Sequence, residues 1–435
     1  MSRAEKEFIL NRARADIEGA KAAVKPIVQA VRGRGDSALI EYTNRLDGFS
    51  LKPREIRVSR GEIARAFERV DRRIIDAIKR QIKYAKQFQQ AQLRRSAERW
   101  ETGLGKGVQA GQITVPVESA GLYVPGGNAP YPTVMQILGV AAKCAGVKRI
   151  VACTPPRKGA EMDVLLVAAK LAGVDEIYRV GGAQAIAAMA YGTESIARVE
   201  KIAGPGNVYV TAAKQLVWGD VAVDMPAGPS EAIILADETA NAEFAAADIL
   251  ARAEHDANAA GVLVTPSERL ALETAGQIEI QLPKLKNRKI AEQALGKYCA
   301  IIITRDMGEA VEFTNNYAPE HLEIMCRKPR AVLKKIKNAG SVFLGEYAPV
   351  AVGDYASGVN HVLPTGGNAR RFSAVGAETF QKKIEFGELT RSGLRRLLPI
   401  VETIADIEGF EAHKRSVQIR LEKGGDRDGK TGRNG

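Results

Sequence analysis

The apolar residues of the first hundred positions repeat at helical spacing. Residues 22–32 and 37–46 each carry such a stripe, and Gly33-Arg34-Gly35-Asp36 separates them. Residues 71–95 combine dense charge with one apolar stripe, which predicts a long amphipathic helix. The chain is therefore predicted to begin with helices.

From about Gly111 the pattern changes to short apolar runs that alternate with helical segments. The predicted strands after Gly121 cover residues 149–154, 176–180, 201–203, 232–236, 261–265, 299–304 and 340–344. The predicted helices between and after them cover residues 162–171, 183–191, 242–255 and 390–407, and beyond Phe372 only helices are expected. This alternation is typical of an α/β protein with parallel sheets and crossover helices.

Composition narrows the class of protein. The chain has 435 residues, of which 45% are hydrophobic and 26% charged, so a folded protein with two large domains is expected. The net charge of +12 favours anionic partners, but the basic residues are scattered and only 6% of residues are aromatic, so we expect no nucleic-acid partner. Neither a signal peptide nor a membrane-spanning run is visible, and a cytoplasmic location without membrane contact is expected.

All four histidines lie in short segments dense in other reactive residues. They are His255, His321, His361 and His413. Because imidazole binds transition metals and moves protons near neutral pH, a metal site or an acid–base site is the first hypothesis. The alternative, that each is an ordinary hydrogen-bonded histidine, stays open for any one of them.

Three glycine-rich turns follow predicted strands, at Gly126-Gly127, Gly181-Gly182 and Gly204-Pro205-Gly206. Bare backbone amides can approach a phosphate closely in such turns, and ligands favour the carboxyl ends of parallel strands. None of the three completes a dinucleotide or P-loop fingerprint. A dinucleotide site and a set of ordinary tight turns both remain open.

Several polar residues are candidates for a second site. Arg252 and His255 are three apart on a predicted helix and can converge on one ligand. A helix is predicted to begin near Pro319, just before Glu320 and His321. Asp354 follows a glycine in a predicted loop, where its carboxylate can face a cation or serve as an ordinary turn residue.

Taken together, these segments resemble the histidinol dehydrogenase family from about residue 27 to residue 421. The resemblance is carried by residues 121–127, 180–185, 204–207, 224–231, 253–255, 319–322, 353–355, 360–365 and 412–414. It implies an NAD-dependent, zinc-containing homodimer with two incomplete Rossmann-like domains. The implied reaction is the four-electron oxidation of L-histidinol to L-histidine through histidinal, the last step of histidine biosynthesis.

The resemblance also implies a domain organisation. We expect an N-terminal helical segment over residues 1–25 and a first Rossmann-like domain formed by residues 26–111 and 230–375. A second Rossmann-like domain, which binds NAD, is expected over residues 112–229. A helical C-terminal arm over residues 376–423 and a disordered tail over residues 424–435 complete the chain.

Each site residue takes its role from the resemblance. The cofactor NAD would be contacted by Tyr123, Gln184 and Asn207, and the general bases would be Glu320 and His321. Zinc would be held by His255 and Asp354, with His413 supplied by the other subunit, so that the dimer shares its active sites. The substrate pocket would be lined by Ser230, Arg252, His255, His321, Asp354, His361, Glu408 and His413.

One position departs from the family pattern in a way that bears on the metal. Arg252 stands where the family has glutamine, three residues before the zinc-binding histidine. A guanidinium keeps its proton and has no lone pair for a metal, and it can instead pair with Asp354. Asn128 and Thr133-Val134 also depart from the pattern.

These departures leave alternatives open. One is a paralogue of the same fold that oxidises another alcohol, such as an anionic one held by Arg252, with weak or absent zinc. Another is a catalytically silent binding protein on this fold.

Overall fold

The computed structural model describes residues 3–11, 17–96, 98–126 and 129–423. The tail predicted to be disordered, residues 424–435, lies outside the described residues. The chain forms two compact units, one of Met1–Gln92 with Val117–Phe380 and one of Leu93–Pro116 with Gln381–Gly435.

The first unit begins with helices, as predicted for this part of the chain. They are α1 (Arg3–Asn11), α2 (Ile17–Arg34), α3 (Asp36–Leu46), α4 (Arg60–Arg69) and α5 (Arg72–Leu93), although α4 was not predicted individually. The break between α2 and α3 is Gly35, whose φ of +55° favours glycine. The long amphipathic helix is confirmed as α5, and it buries Ile75, Ile78 and Ile82 of the predicted stripe.

A five-stranded parallel sheet follows, built from strands that alternate with helices. Its strands are β3 (Ser119–Tyr123), β4 (Arg149–Cys153), β5 (Glu176–Tyr178), β6 (Lys201–Ala203) and β7 (Ala222–Val223), in the order β5-β4-β3-β6-β7. The helices are α6 (Pro132–Ala145), α7 (Ala160–Ala172), α8 (Gly182–Tyr191) and α9 (Val208–Val217). The order reverses between β3 and β6, which is where α/β sheets open a crevice for ligands.

A second five-stranded parallel sheet repeats this order. Its strands are β8 (Glu231–Ala236), β9 (Ala260–Thr265), β10 (Ala300–Ile303), β11 (His321–Met325) and β12 (Ser341–Leu344), in the order β10-β9-β8-β11-β12. The helices are α10 (Ala242–Ala253), α11 (Glu268–Gln281), α12 (Arg288–Lys297), α13 (Met307–Tyr317), α14 (Pro329–Leu333) and α15 (Val350–Tyr355). Short 3-10 helices cover Pro53–Glu55, Leu282–Lys284, Asn368–Arg370 and Ala377–Phe380. The two parallel sheets confirm the predicted α/β class; the domain boundaries stay a prediction.

The second unit contains a sheet that the sequence pattern did not predict. Its strands are β1 (Arg99–Gly105), β2 (Val108–Pro116) and β13 (Gln381–Leu389), antiparallel in the order β1-β2-β13. Two helices follow, α16 (Arg391–Glu408) and α17 (Glu411–Lys423), as predicted for the C-terminal arm. The predicted return to helices is confirmed from Arg391 onward, whereas β13 was not predicted. Every residue of β1 is exposed, so this strand lacks the apolar alternation by which a half-buried strand is predicted.

Three local predictions near the candidate site are also corrected. No helix begins at Pro319, because β11 starts two residues later and pairs with β8 and β12. Asp354 lies in the short helix α15, where a loop was expected. His255 lies just beyond the end of α10, so helical spacing does not orient it relative to Arg252. None of the described helices combines the length and apolar character needed to cross a lipid bilayer.

Candidate active site

Gly126 and the two later glycine turns meet at the carboxyl edge of the first sheet, while Gly127 lies outside the described residues. A Cβ atom on Gly126 or on Gly181 would collide with the ring of Pro155, which follows β4. At Gly204, φ is +135° and a Cβ would lie 2.1 Å from the carbonyl oxygen of Tyr123. Because only glycine allows these backbones to approach so closely, the loops after β3, β4, β5 and β6 form one continuous rim.

The three candidate cofactor residues lie along this rim. Tyr123 ends β3, and its hydroxyl accepts a hydrogen bond from the backbone nitrogen of Gly182 at 3.1 Å. Asn207 caps α9 by accepting hydrogen bonds from two backbone amides of its first turn. Gln184 donates to Asp47 Oδ2 at 3.2 Å, while its buried Oε1 has no hydrogen-bond partner among the described residues. A buried acceptor without a donor is costly, which suits a position that a ligand completes.

The turn at Gly204 is fixed by a buried ion pair that sequence analysis missed. Lys214 Nζ lies 2.6 Å from Asp224 Oδ1 and also donates to the Gly204 carbonyl oxygen. The other carboxylate oxygen of Asp224 accepts from the Gly204 backbone nitrogen at 2.7 Å. The Gly204 backbone is thus held through both its amide and its carbonyl group. In the sequence, the available signal was Asp224, the first residue of segment 224–231, which carries part of the family resemblance.

The candidate bases lie at the amino edge of the second sheet, beside the starts of β8 and β11. The glycine turns, by contrast, lie at the carboxyl edge of the first sheet. The pairing of these strands sets His321 opposite Ala232, so that Glu320 comes next to Ser230. Glu320 Oε2 accepts from Ser230 Oγ at 2.8 Å and from the Glu231 backbone nitrogen at 2.9 Å. The rule that ligands lie at the carboxyl ends of parallel strands points to the glycine turns and does not locate this second cluster.

The His321 ring is held in a defined orientation. Its Nδ1 lies 3.0 Å from the carbonyl oxygen of Glu231 and 3.4 Å from Glu320 Oε2. Its Nε2 lies 3.7 Å from Asp354 Oδ1. Because a carbonyl oxygen only accepts, Nδ1 carries hydrogen, and Nε2 of the neutral ring keeps its lone pair.

The helix α15 brings Asp354 to this cluster, with support from two other elements. Gln81 of α5 donates to the Asp354 carbonyl oxygen at 3.1 Å. Glu323 of β11 accepts from the Val350 backbone nitrogen at 2.6 Å, which ties the first residue of α15 to the strand that carries His321. Sequence analysis missed Glu323; a single carboxylate within the apolar run of β11 was the available signal.

Arg252 lies in the last turn of α10 and is only 6% exposed. Its Nη1 donates to Ser230 Oγ at 2.6 Å, and its Nη2 lies 3.5 Å from Asp354 Oδ2. The predicted pairing with Asp354 is therefore present, although as a single contact and not as a two-pronged one. Together, Glu320, Ser230, Arg252, Asp354 and His321 form a closed ring of polar side chains, which we call the polar ring.

Two other histidines border the polar ring. The His255 ring lies 6.4 Å, centroid to centroid, from the ring of Tyr131, the residue before α6. Loss of hydration lowers the pKa of His255, and the charge of Arg252 lowers it further. Burial likewise lowers the pKa of His361, whose Nε2 has no hydrogen-bond partner in the described part of the chain. Both rings are therefore held in the neutral form.

The charges of the polar ring shift the pKa values of its acids and base. Burial lowers the pKa of His321, but the charge of Glu320 and the close carboxylates of Asp354 and Glu320 outweigh it and raise the pKa to about 9. Burial raises the pKa of Asp354, yet the proximity and charge of His321, followed by the charge of Arg252, bring it down to about 2. The pKa of Glu320 is lowered in the same way, mainly by the charge of His321 against burial. Both carboxylates are therefore ionised at neutral pH.

His413 and Glu408 belong to the second unit. His413 lies in α17, where its ring is 5.1 Å from that of Phe410, centroid to centroid. Glu408 is the last residue of α16. Their predicted roles in the active site stay predictions.

The residues present do not fit the zinc ion that the resemblance implies. The decisive feature is Arg252, whose guanidinium pairs with Asp354, one of the implied zinc ligands. A divalent ion at that carboxylate would lie next to a fixed positive charge that cannot act as a ligand.

The fold and the site define a class of protein. Two parallel sheets, a glycine-lined rim on one and a buried carboxylate–histidine cluster on the other are the features of an α/β enzyme with acid–base chemistry.

Comparison with known proteins narrows this class to a family. The family model for histidinol dehydrogenase matches residues 10–421. Histidinol dehydrogenase of Methanothermobacter thermautotrophicus is 47% identical over 414 residues, covering 95% of this chain and 96% of the relative. That of Vibrio cholerae is 46% identical over 428 residues, covering 97% of each. The crystal structure of histidinol dehydrogenase from Elizabethkingia anophelis superposes with a TM-score of 0.91 at 39% identity, covering 97% of this chain and 96% of that one. The chain belongs to the histidinol dehydrogenase family and is an oxidoreductase.

Proposed function

We propose that this chain catalyses the NAD-dependent oxidation of L-histidinol to L-histidine through histidinal, the last step of histidine biosynthesis. The observation that carries the proposal is the polar ring, in which two ionised carboxylates and a histidine with a buried lone pair meet in one cluster. Two successive oxidations need one base for the alcohol proton and one for the attacking water, and this cluster contains both.

The first base is His321. Its Nδ1 donates to the Glu231 carbonyl oxygen, so Nε2 accepts the alcohol proton as hydride leaves the carbon. Asp354, 3.7 Å from Nε2, stabilises the imidazolium that results. Burial of the His321 side chain limits the access of water to this proton.

The second base is Glu320. Its Oε2 is held by Ser230 and by the Glu231 backbone nitrogen, which keeps the carboxylate ionised and fixes its orientation. We assign to it the proton of the water molecule that attacks histidinal. The tetrahedral adduct then loses hydride, which NAD would accept, and the resulting carboxylic acid releases its remaining proton to water to give the carboxylate of histidine.

The rim of the first sheet is the proposed cofactor site. NAD, when bound, accepts the hydride in each oxidation. Tyr123, Gln184 and Asn207 would hold it, because these polar side chains lie beside the glycine turns where a pyrophosphate can approach bare backbone. No step is assigned to a metal ion.

The assembly is part of the proposal. We infer a homodimer in the cytoplasm in which His413 and Glu408 of one chain complete the substrate pocket of the other. The high exposure of several apolar residues of α16, such as Ile400 at 60% and Ile407 at 77%, is compatible with a partner chain packing on this helix.

The test is a stoichiometric assay. L-histidinol and excess NAD are incubated with the chain, NADH is followed by absorbance, and L-histidine is identified chromatographically. Two NADH per histidine are expected, and His321→Asn is the matched inactive control. NADH formation with a different alcohol but none with histidinol would favour a paralogue, and no NADH above the control would contradict dehydrogenase activity.

A further inference from the structure

The Arg252 side chain is built into the reaction centre. It is 6% exposed, and it contacts both Ser230 Oγ at 2.6 Å and Asp354 Oδ2 at 3.5 Å. Through Ser230 it is also connected to Glu320, because the same hydroxyl donates to the Glu320 carboxylate. One guanidinium is therefore linked to both carboxylates of the polar ring.

The polar ring already contains a fixed cation without a metal. The guanidinium of Arg252 keeps its positive charge, contacts Asp354 directly and is connected to Glu320 through Ser230. A divalent ion would add two positive charges next to the guanidinium in a buried environment, where such repulsion is weakly screened. The expected histidine and aspartate ligands alone would have to overcome the repulsion between the metal ion and the guanidinium.

We propose that the guanidinium of Arg252 is the fixed cation of this reaction centre and takes the part that a divalent metal ion would otherwise have. The proposal rests on the proposed oxidation of an alcohol. In the first step the carbon–hydrogen bond breaks and its electron pair leaves as hydride to NAD, while the hydroxyl proton passes to His321 and a carbonyl forms. Arg252 stays protonated and stabilises the negative charge that develops on the substrate oxygen.

Unsatisfied atoms of the cluster support this assignment. Nε of Arg252 and Nε2 of His321 are both buried and lack hydrogen-bond partners among the described residues. One is an obligatory donor and the other is an acceptor in the neutral ring, so each is left free for a polar group of a bound ligand. Native proteins rarely leave such groups unpaired unless a ligand or water completes them.

The experiment compares zinc binding and turnover in the unmodified chain, in Arg252→Gln and in Arg269→Gln. Arg269 is exposed on α11 and pairs with Glu273, so it controls for loss of an arginine away from the site. Zinc content is measured by mass spectrometry on protein purified without chelator, and affinity by calorimetric titration. Turnover with histidinol and NAD is measured before and after treatment with a strong chelator.

The unmodified chain and Arg269→Gln are expected to contain far less than one zinc per chain and to keep their turnover after chelation. Metal-free Arg252→Gln is expected to lose about 10²-fold or more in kcat, to bind zinc more tightly, and to regain turnover when zinc is added. Tight stoichiometric zinc binding by the unmodified chain, with turnover lost on chelation, overturns the proposal. So does an Arg252→Gln chain that folds, judged by its melting temperature, and binds no more zinc than the unmodified one.

The zinc titration does not require turnover. A chain that fails to oxidise histidinol would contradict the proposed function, whereas the metal content and affinity of the unmodified chain would still decide the place of Arg252.

Discussion

At the scale of single residues, His321 and Glu320 are adjacent in sequence but differ in their surroundings. The His321 ring has one nitrogen fixed against a carbonyl oxygen and the other facing the Asp354 carboxylate. The Glu320 carboxylate is held by a hydroxyl and a backbone amide. Each of the two neighbouring residues thus keeps its own hydrogen-bond partners while it serves a different chemical step.

Substitution of each base should affect a different half-reaction. His321→Asn is expected to lower kcat by about 10²–10⁴-fold, with a much smaller change in KM, because it removes a proton acceptor. Glu320→Gln should slow the oxidation of histidinal more than that of histidinol. The measurement is steady-state NADH formation from each of the two substrates. Small and equal losses in both half-reactions for both variants would refute the assignment.

The pKa of His321 predicts a pH dependence. A base works only when unprotonated, and the folded-state pKa of His321 is raised to about 9, so kcat/KM for histidinol should rise as the pH increases through this value. The charge of Glu320 is the main influence that raises this pKa. Glu320→Gln should therefore shift the rising limb to lower pH. A limb at the same pH in both proteins would show that another group titrates.

At the scale of elements, the helix α5 supports the segment that carries His361. Gln89 is fully buried in this helix and accepts a hydrogen bond from the Ala377 backbone nitrogen at 2.8 Å. Its amide nitrogen donates to Asn360 Oδ1. One side chain thus satisfies a buried donor and a buried acceptor in a segment far away in sequence.

Loss of this side chain should destabilise the first unit. Gln89→Leu leaves the Ala377 backbone nitrogen and Asn360 Oδ1 without partners, and each buried group of this kind costs about 1–3 kcal/mol, so the free energy of unfolding should fall by about 2–6 kcal/mol. Gln90 is exposed on the same helix, so Gln90→Leu should change the free energy of unfolding by no more than about 0.5 kcal/mol. Urea denaturation compares the two. Equal effects would mean that α5 does not support this segment through Gln89.

At the scale of the whole molecule, the proposed shared active site predicts complementation between inactive chains. His413→Ala and His321→Ala are each expected to be inactive, since each removes one residue of the composite pocket. In a mixed dimer one of the two sites collects both intact residues, so partial activity should return after subunit exchange. A tagged chain and co-purification establish that exchange occurs; no recovery under those conditions would argue against a shared site.

The sequence by itself determined the fold class and most of the element order. Apolar spacing is a local property, and the long stripe of α5 and the short runs of β4, β8 and β9 show it directly. The residue types at the site were also visible, because four histidines and the segments around them are conspicuous in a chain of this length. The antiparallel sheet was missed because pairing between β2 and β13 joins residues more than 260 positions apart and leaves little local pattern.

Only the tertiary structure decided how the site residues meet. The parallel pairing of β8 with β11 places Ser230 beside Glu320, and the return of α15 brings Asp354 within reach of both His321 and Arg252. In the sequence, Arg252 stands where the resembled family has glutamine, three residues before an expected zinc-binding histidine. Burial next to two carboxylates is what turns that arginine into the proposed cation of the site, because a guanidinium removed from water keeps its charge and needs anionic partners.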